Sequence, residues 1–157
     1  MNNIDYLRCA NEIAKKARAD GNTPFGAVLV NKDGEIIMEQ GNAEKELGAT
    51  AHAELELARR ASQKFSKDYL KDCTLVTTVE PCPMCTGAIY WTNIGHIVFG
   101  ITESQLLEMT GSDDKNPTFA MGAEKVIAAG QKNITVEGPF PEVADKIIEA
   151  HKGFWQN

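Results

Sequence analysis

No apolar run in the chain approaches the roughly 20 residues that a membrane-spanning helix needs. The opening Met1-Asn2-Asn3-Ile4-Asp5-Tyr6 carries an acid and no apolar stretch of the kind a secretory signal uses. A cytoplasmic protein without membrane attachment is the expectation. Basic residues are the scarcer charge, 16 Lys and Arg against 22 Asp and Glu, and the net charge of −6 sets the overall field against phosphate backbones. Nucleic acid is therefore not the expected partner. No segment is dominated by Gly, Pro or one charge sign, and no repeat is visible, which excludes collagen-like and low-complexity architectures. Cysteine is limited to Cys9, Cys73, Cys82 and Cys85. In a chain without secretory features these point to metal binding or catalysis before a disulfide framework. The 157 residues fit a single domain, 1–157, and at this length folding buries roughly 70% of the unfolded chain's surface without covalent staples.

Ile4, Leu7, Ala10, Ala14 and Ala17 recur at helical spacing behind Asn3, a candidate N-cap, and the pattern stops at Gly21. Two strand-like runs follow, Phe25 to Val30 and Glu35 to Glu39, joined by Asn31-Lys32-Asp33-Gly34, whose Asp-Gly pair predicts a hairpin. A second helix is expected from about Ala51 to Phe65 with Thr50 as its cap, then a strand from Cys73 to Val79. Pro83 suits the first turn of a third helix ending before Gly95, followed by a strand from His96 to Ile101. Thr102 to Pro117 reads as irregular and polar, Phe119 to Ala129 as helical, Ile134 to Glu137 as a last strand, and Pro141 to about Lys152 as a closing helix. Helices lying between successive strands imply right-handed parallel crossovers.

The chemistry gathers in His52-Ala53-Glu54 and Pro81-Cys82-Pro83-Met84-Cys85, each placed to open a helix. Cysteines three apart on a helical turn point their sulfurs the same way, and a helix start favours thiolates. His52 and Glu54, two apart, converge only if they sit in a first turn. A lone Cys-x-x-Cys equally suits a redox pair or an inert site, and a lone His-x-Glu is weaker still. Taken together, His52, Cys82 and Cys85 supply three zinc ligands, one short of the four that close a structural site, and a catalytic zinc needs that open position to lower the pKa of a bound water. Cys73 begins a strand at the end remote from Cys82, and Cys9 lies on the first helix; both read as core residues.

Pro24-Phe25-Gly26-Ala27-Val28, Gly41-Asn42, Thr50-Ala51-His52-Ala53-Glu54, Thr78-Val79-Glu80-Pro81-Cys82-Pro83-Met84-Cys85 and Gly87-Ala88-Ile89-Tyr90-Trp91 resemble, in order, the blocks of the cytidine deaminase superfamily. The branch they resemble holds guanine deaminases and bacterial tRNA adenosine deaminases. The resemblance implies a three-layer α/β/α fold around a five-stranded mixed sheet whose last two strands run parallel, and a homodimer. It also implies hydrolytic deamination, with zinc on His52, Cys82 and Cys85 and with Glu54 moving the protons.

For the substrate, Asn42 matches the asparagine that bonds the base in the family, although an asparagine there also suits a turn. Backbone groups near Ala53 and from Val79 to Pro81 are candidates to read the base's edge, and Phe25 and Trp91 to enclose its ring. The resemblance offers Asp113 or Asp114 as the loop acid that contacts a purine in guanine deaminases. It also offers Phe154 or Trp155 as a tail residue against the pocket, in cis or across a dimer. A free nucleobase is the expected substrate, guanine first. A wobble adenosine in tRNA, cytosine, and a zinc-stabilised binding module without catalysis are the alternatives.

Overall fold

The computed structural model describes residues 1–111 and 117–155. Helix α1 (Asn3–Ala19) starts one residue earlier than its apolar periodicity suggests, because Asn2 accepts from the Asp5 N–H while the Asp5 carboxylate accepts from the Asn2 N–H. Its buried stripe of Leu7, Ala10, Ala14 and Ala17 is mostly small, which lets it lie almost on top of strand β1 (Gly26–Val30). A Cβ at Gly26 would stand 2.3 Å from the Ala10 carbonyl oxygen, so glycine is required at this crossing. β1 turns through Gly34, whose φ of +84° suits glycine, into β2 (Ile36–Gly41), and the two pair antiparallel as the Asp-Gly signal predicts.

Helices α2 (Glu44–Leu47), α3 (Ala53–Lys64) and α4 (Lys67–Lys71) then lead to β3 (Thr74–Val79). α5 (Pro83–Thr92) crosses to β4 (His96–Ile101); α6 (Glu103–Thr110) and α7 (Ala123–Ala128) cross to β5 (Thr135–Glu137); α8 (Pro141–His151) closes the fold. The sheet order is β2-β1-β3-β4-β5, with β1 antiparallel to both neighbours and β3, β4 and β5 parallel.

Alternation along the central strands divides the core into two layers. Ala27, Leu29, Leu75 and Ile97 face Leu57, Ala61, Ile89 and Ile127 of α3, α5 and α7. Val28, Val30, Val76 and Val98 face Leu7, Leu106 and Ile147 of α1, α6 and α8. The result is the expected three-layer arrangement. Among the described residues no helix is long and apolar enough to cross a membrane.

Several expectations change. The stretch expected to be irregular after Thr102 contains α6, set by a capping box in which Thr102 and Gln105 serve each other's N–H groups. Leu106 anchors that helix in the core with Met109 partly buried beside it, and two such contacts among polar residues leave too little periodicity to read. The helix expected from Phe119 begins only at Ala123, and the cap of α3 is His52 rather than Thr50. Short α2 and α4 were below the length at which periodicity is readable.

Candidate metal and active site

Two helix starts meet beside β3. His52 is the N-cap of α3 and Cys82 the N-cap of α5, with Pro83 at the first helical position and Cys85 in the first turn. His52 makes no side-chain cap bond to its own helix, and its ring turns toward the two cysteines instead. His52 Nδ1 lies 3.7 Å from Cys82 Sγ and 3.6 Å from Cys85 Sγ. A tetrahedral ion with metal–sulfur bonds of about 2.3 Å and a metal–nitrogen bond of about 2.0 Å needs about 3.5 Å between N and S. The three side chains therefore fit zinc in donor type and in spacing. Among the described residues no further His, Cys, Asp or Glu joins this group. Cys73 is buried and donates to the Tyr69 carbonyl, and Cys9 is half-buried on α1 in the other layer.

The local electrostatics favour a cation. A hydrogen bond from Cys85, and then His52, push the Cys82 thiol down to about 4 against the cost of burial, whereas Cys85, donating to that thiolate and buried, is raised. The hydrogen bond to Cys82 lifts His52 to about 9. A proton shared among these groups is what a divalent metal displaces on binding.

Glu54 stands at the second position of α3, so the two-residue spacing from His52 converges as the first-turn constraint requires. Its carboxylate is 5% exposed, and Oε2 accepts from Thr77 Oγ1 at 2.9 Å. Burial, and then the nearby Cys82 thiolate, raise it to about 7. Among buried side chains this one is poised to take and release a proton near neutrality.

These groups open onto a cavity of about 520 Å³, within the range of small-molecule sites. Of the expected residues, Phe25, Asn42, His52, Glu54, Val79 and Cys82 line it. Asn42 is 4% exposed and also makes a turn with Glu44, so it is both a turn residue and a wall residue. Ala53 is fully buried in the core and its side chain is not on the wall. Asp113 and Asp114 lie outside the described residues.

Trp91 is not part of the cavity. It sits near the C-terminal end of α5, and the six residues of helix after Cys85 carry it about 9 Å along the axis from the metal-binding turn. There it is 73% exposed, edge-on to Tyr90. Phe119 lines the cavity with Phe25 instead. Trp155 is one layer back: its ring centroid is 6.2 Å from Phe25, and its indole N–H donates to His151 Nδ1 at 3.0 Å. Phe154 packs edge-on against Trp155, with the Arg18 guanidinium 5.5 Å from its ring. The tail thus backs the cavity wall within the same chain without lining it.

Three carboxylates on the wall were not singled out as site side chains: Glu80, within a quoted block, and Glu44 and Glu103, outside the blocks. Glu80 accepts from the Glu103 N–H at 3.1 Å through Oε1 and from the Ala123 N–H at 2.9 Å through Oε2. One side chain thereby caps both α6 and α7 and ties the two ends of the segment that carries Phe119. Glu103 is 8% exposed, and burial followed by Glu54, Cys82 and Glu80 pushes it up to about 8. The Thr102-x-x-Gln105 capping signature, following a parallel strand, was the available signal for Glu103, since α/β sites gather at such strand ends. No Lys or Arg is among the described residues of the wall.

The profile described as the cytidine and deoxycytidylate deaminase zinc-binding region matches residues 1–101. A probable cytosine deaminase of Schizosaccharomyces pombe is 36% identical over 152 residues, covering 97% of this chain and 91% of that protein. The guanine deaminase of Bacillus subtilis is 40% identical over 116 residues, 73% of each chain. A solved structure from work on A-to-I editing by tRNA:A34 deaminases at the wobble position superposes with a TM-score of 0.69 at 27% identity, covering 93% of this chain and 97% of that one.

Proposed function

The chain belongs to the cytidine and deoxycytidylate deaminase family, and on that premise we propose that it deaminates a free aminated nucleobase, guanine first. Residues 1–157 are read as one such deaminase domain, acting in the cytoplasm as a homodimer. The observation that carries the substrate class is the wall itself. Glu44, Glu54, Glu80 and Glu103 line the cavity beside the Asn42 amide, with no cationic side chain among the described residues there. Such a wall opposes phosphates and accepts N–H donors. Guanine presents donors along its N1 and 2-amino edge, whereas adenine has an acceptor at N1, and an acceptor facing an acceptor leaves both unpaired. Asp113 or Asp114 belongs to the same proposal as a further acceptor for that edge.

His52, Cys82 and Cys85 would hold zinc, which when bound supplies a Lewis acid that lowers the pKa of water. Glu54 does the proton work. Held by Thr77 through Oε2, its carboxylate accepts a proton from the attacking water. Glu54 then delivers that proton to the ring nitrogen next to the aminated carbon and carries another to the departing amine. Water's oxygen becomes the product carbonyl, the exocyclic C–N bond breaks, and ammonia leaves. Phe25, Val79, Met84 and Phe119 give the cavity its apolar sides, which orient a flat ring and exclude water.

A second reading, cytosine, is favoured by one observation: the fission-yeast relative aligns with 97% of this chain, and the described cavity would also admit a pyrimidine. Ammonia release from guanine, cytosine, adenine and an anticodon stem-loop tests the ranking. Turnover of guanine with little on the others supports it. Turnover confined to cytosine moves the assignment to the second reading, and inosine formation in the stem-loop without guanine turnover refutes the free-base class.

A further inference from the structure

Glu44 lies on the cavity wall at the start of α2, two residues after Asn42 and outside every motif that marks the site. Its carboxylate makes two contacts through the same oxygen. Asn42 Nδ2 donates to Glu44 Oε1 at 3.1 Å, while the Glu44 backbone N–H donates to Asn42 Oδ1 at 3.0 Å. His52 Nε2 lies 3.4 Å from that same Oε1. Because Nδ1 of His52 faces both sulfurs, the ring's metal-binding form carries its proton on Nε2, the nitrogen that lies near Glu44. The oxygen is on the opposite side of the imidazole from the sulfurs, so Glu44 is not a fourth ligand.

We propose that Glu44 is a positioning residue that sets the tautomer and ring orientation of His52 and, through the same oxygen, the orientation of the Asn42 amide. This rests on the deaminase reading for its catalytic consequence, but the metal limb stands on the geometry alone. Carboxylates behind metal-binding imidazoles strengthen metal binding by fixing the ring and raising its basicity. For Asn42 the consequence is polarity. Its Oδ1 is engaged by the Glu44 N–H and one Nδ2 proton by Glu44 Oε1, so the second Nδ2 proton is left to donate into the cavity. Asn42 therefore reads an acceptor atom of the base, such as a ring nitrogen or carbonyl oxygen, while the wall carboxylates read its donors.

The backbone of this segment has other support. Asn22 accepts from the Lys45 N–H at 2.9 Å and donates to Glu46 Oε1 at 2.9 Å, and the Ala43 N–H donates to the Ala51 carbonyl at 2.9 Å. Removing the Glu44 carboxylate should therefore leave the segment in place.

The test is zinc affinity of the full chain, measured by competition with a chromophoric chelator, in Glu44→Ala and Glu44→Gln beside the parent, together with KM and kcat on the best base. Glu44→Ala is expected to weaken zinc about 10- to 100-fold and to raise KM more than it lowers kcat. Glu44→Gln keeps an oxygen for both donors and is expected to restore most of both. Cobalt-substituted Glu44→Ala should show an altered visible spectrum, a readout of ligand geometry that loss of general stability does not mimic. Parental zinc affinity in Glu44→Ala overturns the proposal, as does an equal loss in the Ala and Gln variants. If the parent turns over no base at all, the deaminase reading fails while the chelator competition still decides the role of Glu44.

Discussion

His151 closes α8 at 1% exposure, between the cavity-lining Phe25 at 5.2 Å and the tail residue Trp155 at 6.0 Å, centroid to centroid. Its Nδ1 accepts from the Trp155 indole, so the neutral ring carries its proton on Nε2, which is buried with no hydrogen-bond partner. A second proton would set an N–H against the indole N–H in a buried site. Burial, and then the Arg18 cation, accordingly pull His151 down from 6.5 to about 4. The unfolded chain takes up that proton as the pH falls below 6.5, whereas the folded chain resists until about 4. The stabilising contribution of the neutral ring is thus fully present above 6.5 and is lost as the pH falls toward 4. At about 1.4 kcal/mol per pH unit, this window carries about 3 kcal/mol. His151→Gln keeps an oxygen for the indole and removes the titration. Urea unfolding at pH 7 and at pH 4.5 should then show the variant losing about 2 to 3 kcal/mol less than the parent between the two conditions, whatever its stability at pH 7. Equal losses in parent and variant would refute the assignment of a buried neutral histidine.

Glu80→Ala removes two helix caps at once, at about 1 kcal/mol each, and frees the segment that carries Phe119. The expected result is several-fold higher KM, faster proteolytic cleavage between residues 111 and 122, and unchanged zinc content; unchanged KM would make Glu80 a structural cap only. Trp155→Ala withdraws the support behind Phe25 and should raise KM with a smaller effect on kcat. Identical kinetics would reduce the tail to a packing element.

The sheet and its flanking helices were legible wherever apolar period and turn chemistry agreed. Gly34, Pro83 and the alternating Val and Leu of β1 and β3 each place an element within a residue or two. α6 was missed because Leu106 and the partly buried Met109 are too few apolar contacts for a readable period, and its start is marked by the Thr102 and Gln105 pair rather than by hydrophobicity. At the site, His52, Glu54, Cys82 and Cys85 were readable because one-turn spacings at helix starts are local properties of the chain. Trp91 was misplaced for the complementary reason: it follows Cys85 by six residues in sequence, but a rigid helix turns that separation into distance from the pocket. Glu44 carries no local signature, and the signals around Glu80 and Glu103 mark helix starts rather than those side chains. They reach one wall only because β3, β4 and the segment after β2 end at the same edge of the sheet, which is tertiary information.

The most direct test of the account is Glu54→Gln, assayed for zinc and for ammonia release on the same preparation. The substitution keeps size and burial and leaves His52, Cys82 and Cys85 untouched, so it separates proton transfer from metal binding. The expected result is one zinc per chain, as in the parent, with turnover reduced by at least about 10²-fold. Deamination near the parental rate by zinc-loaded Glu54→Gln would contradict it.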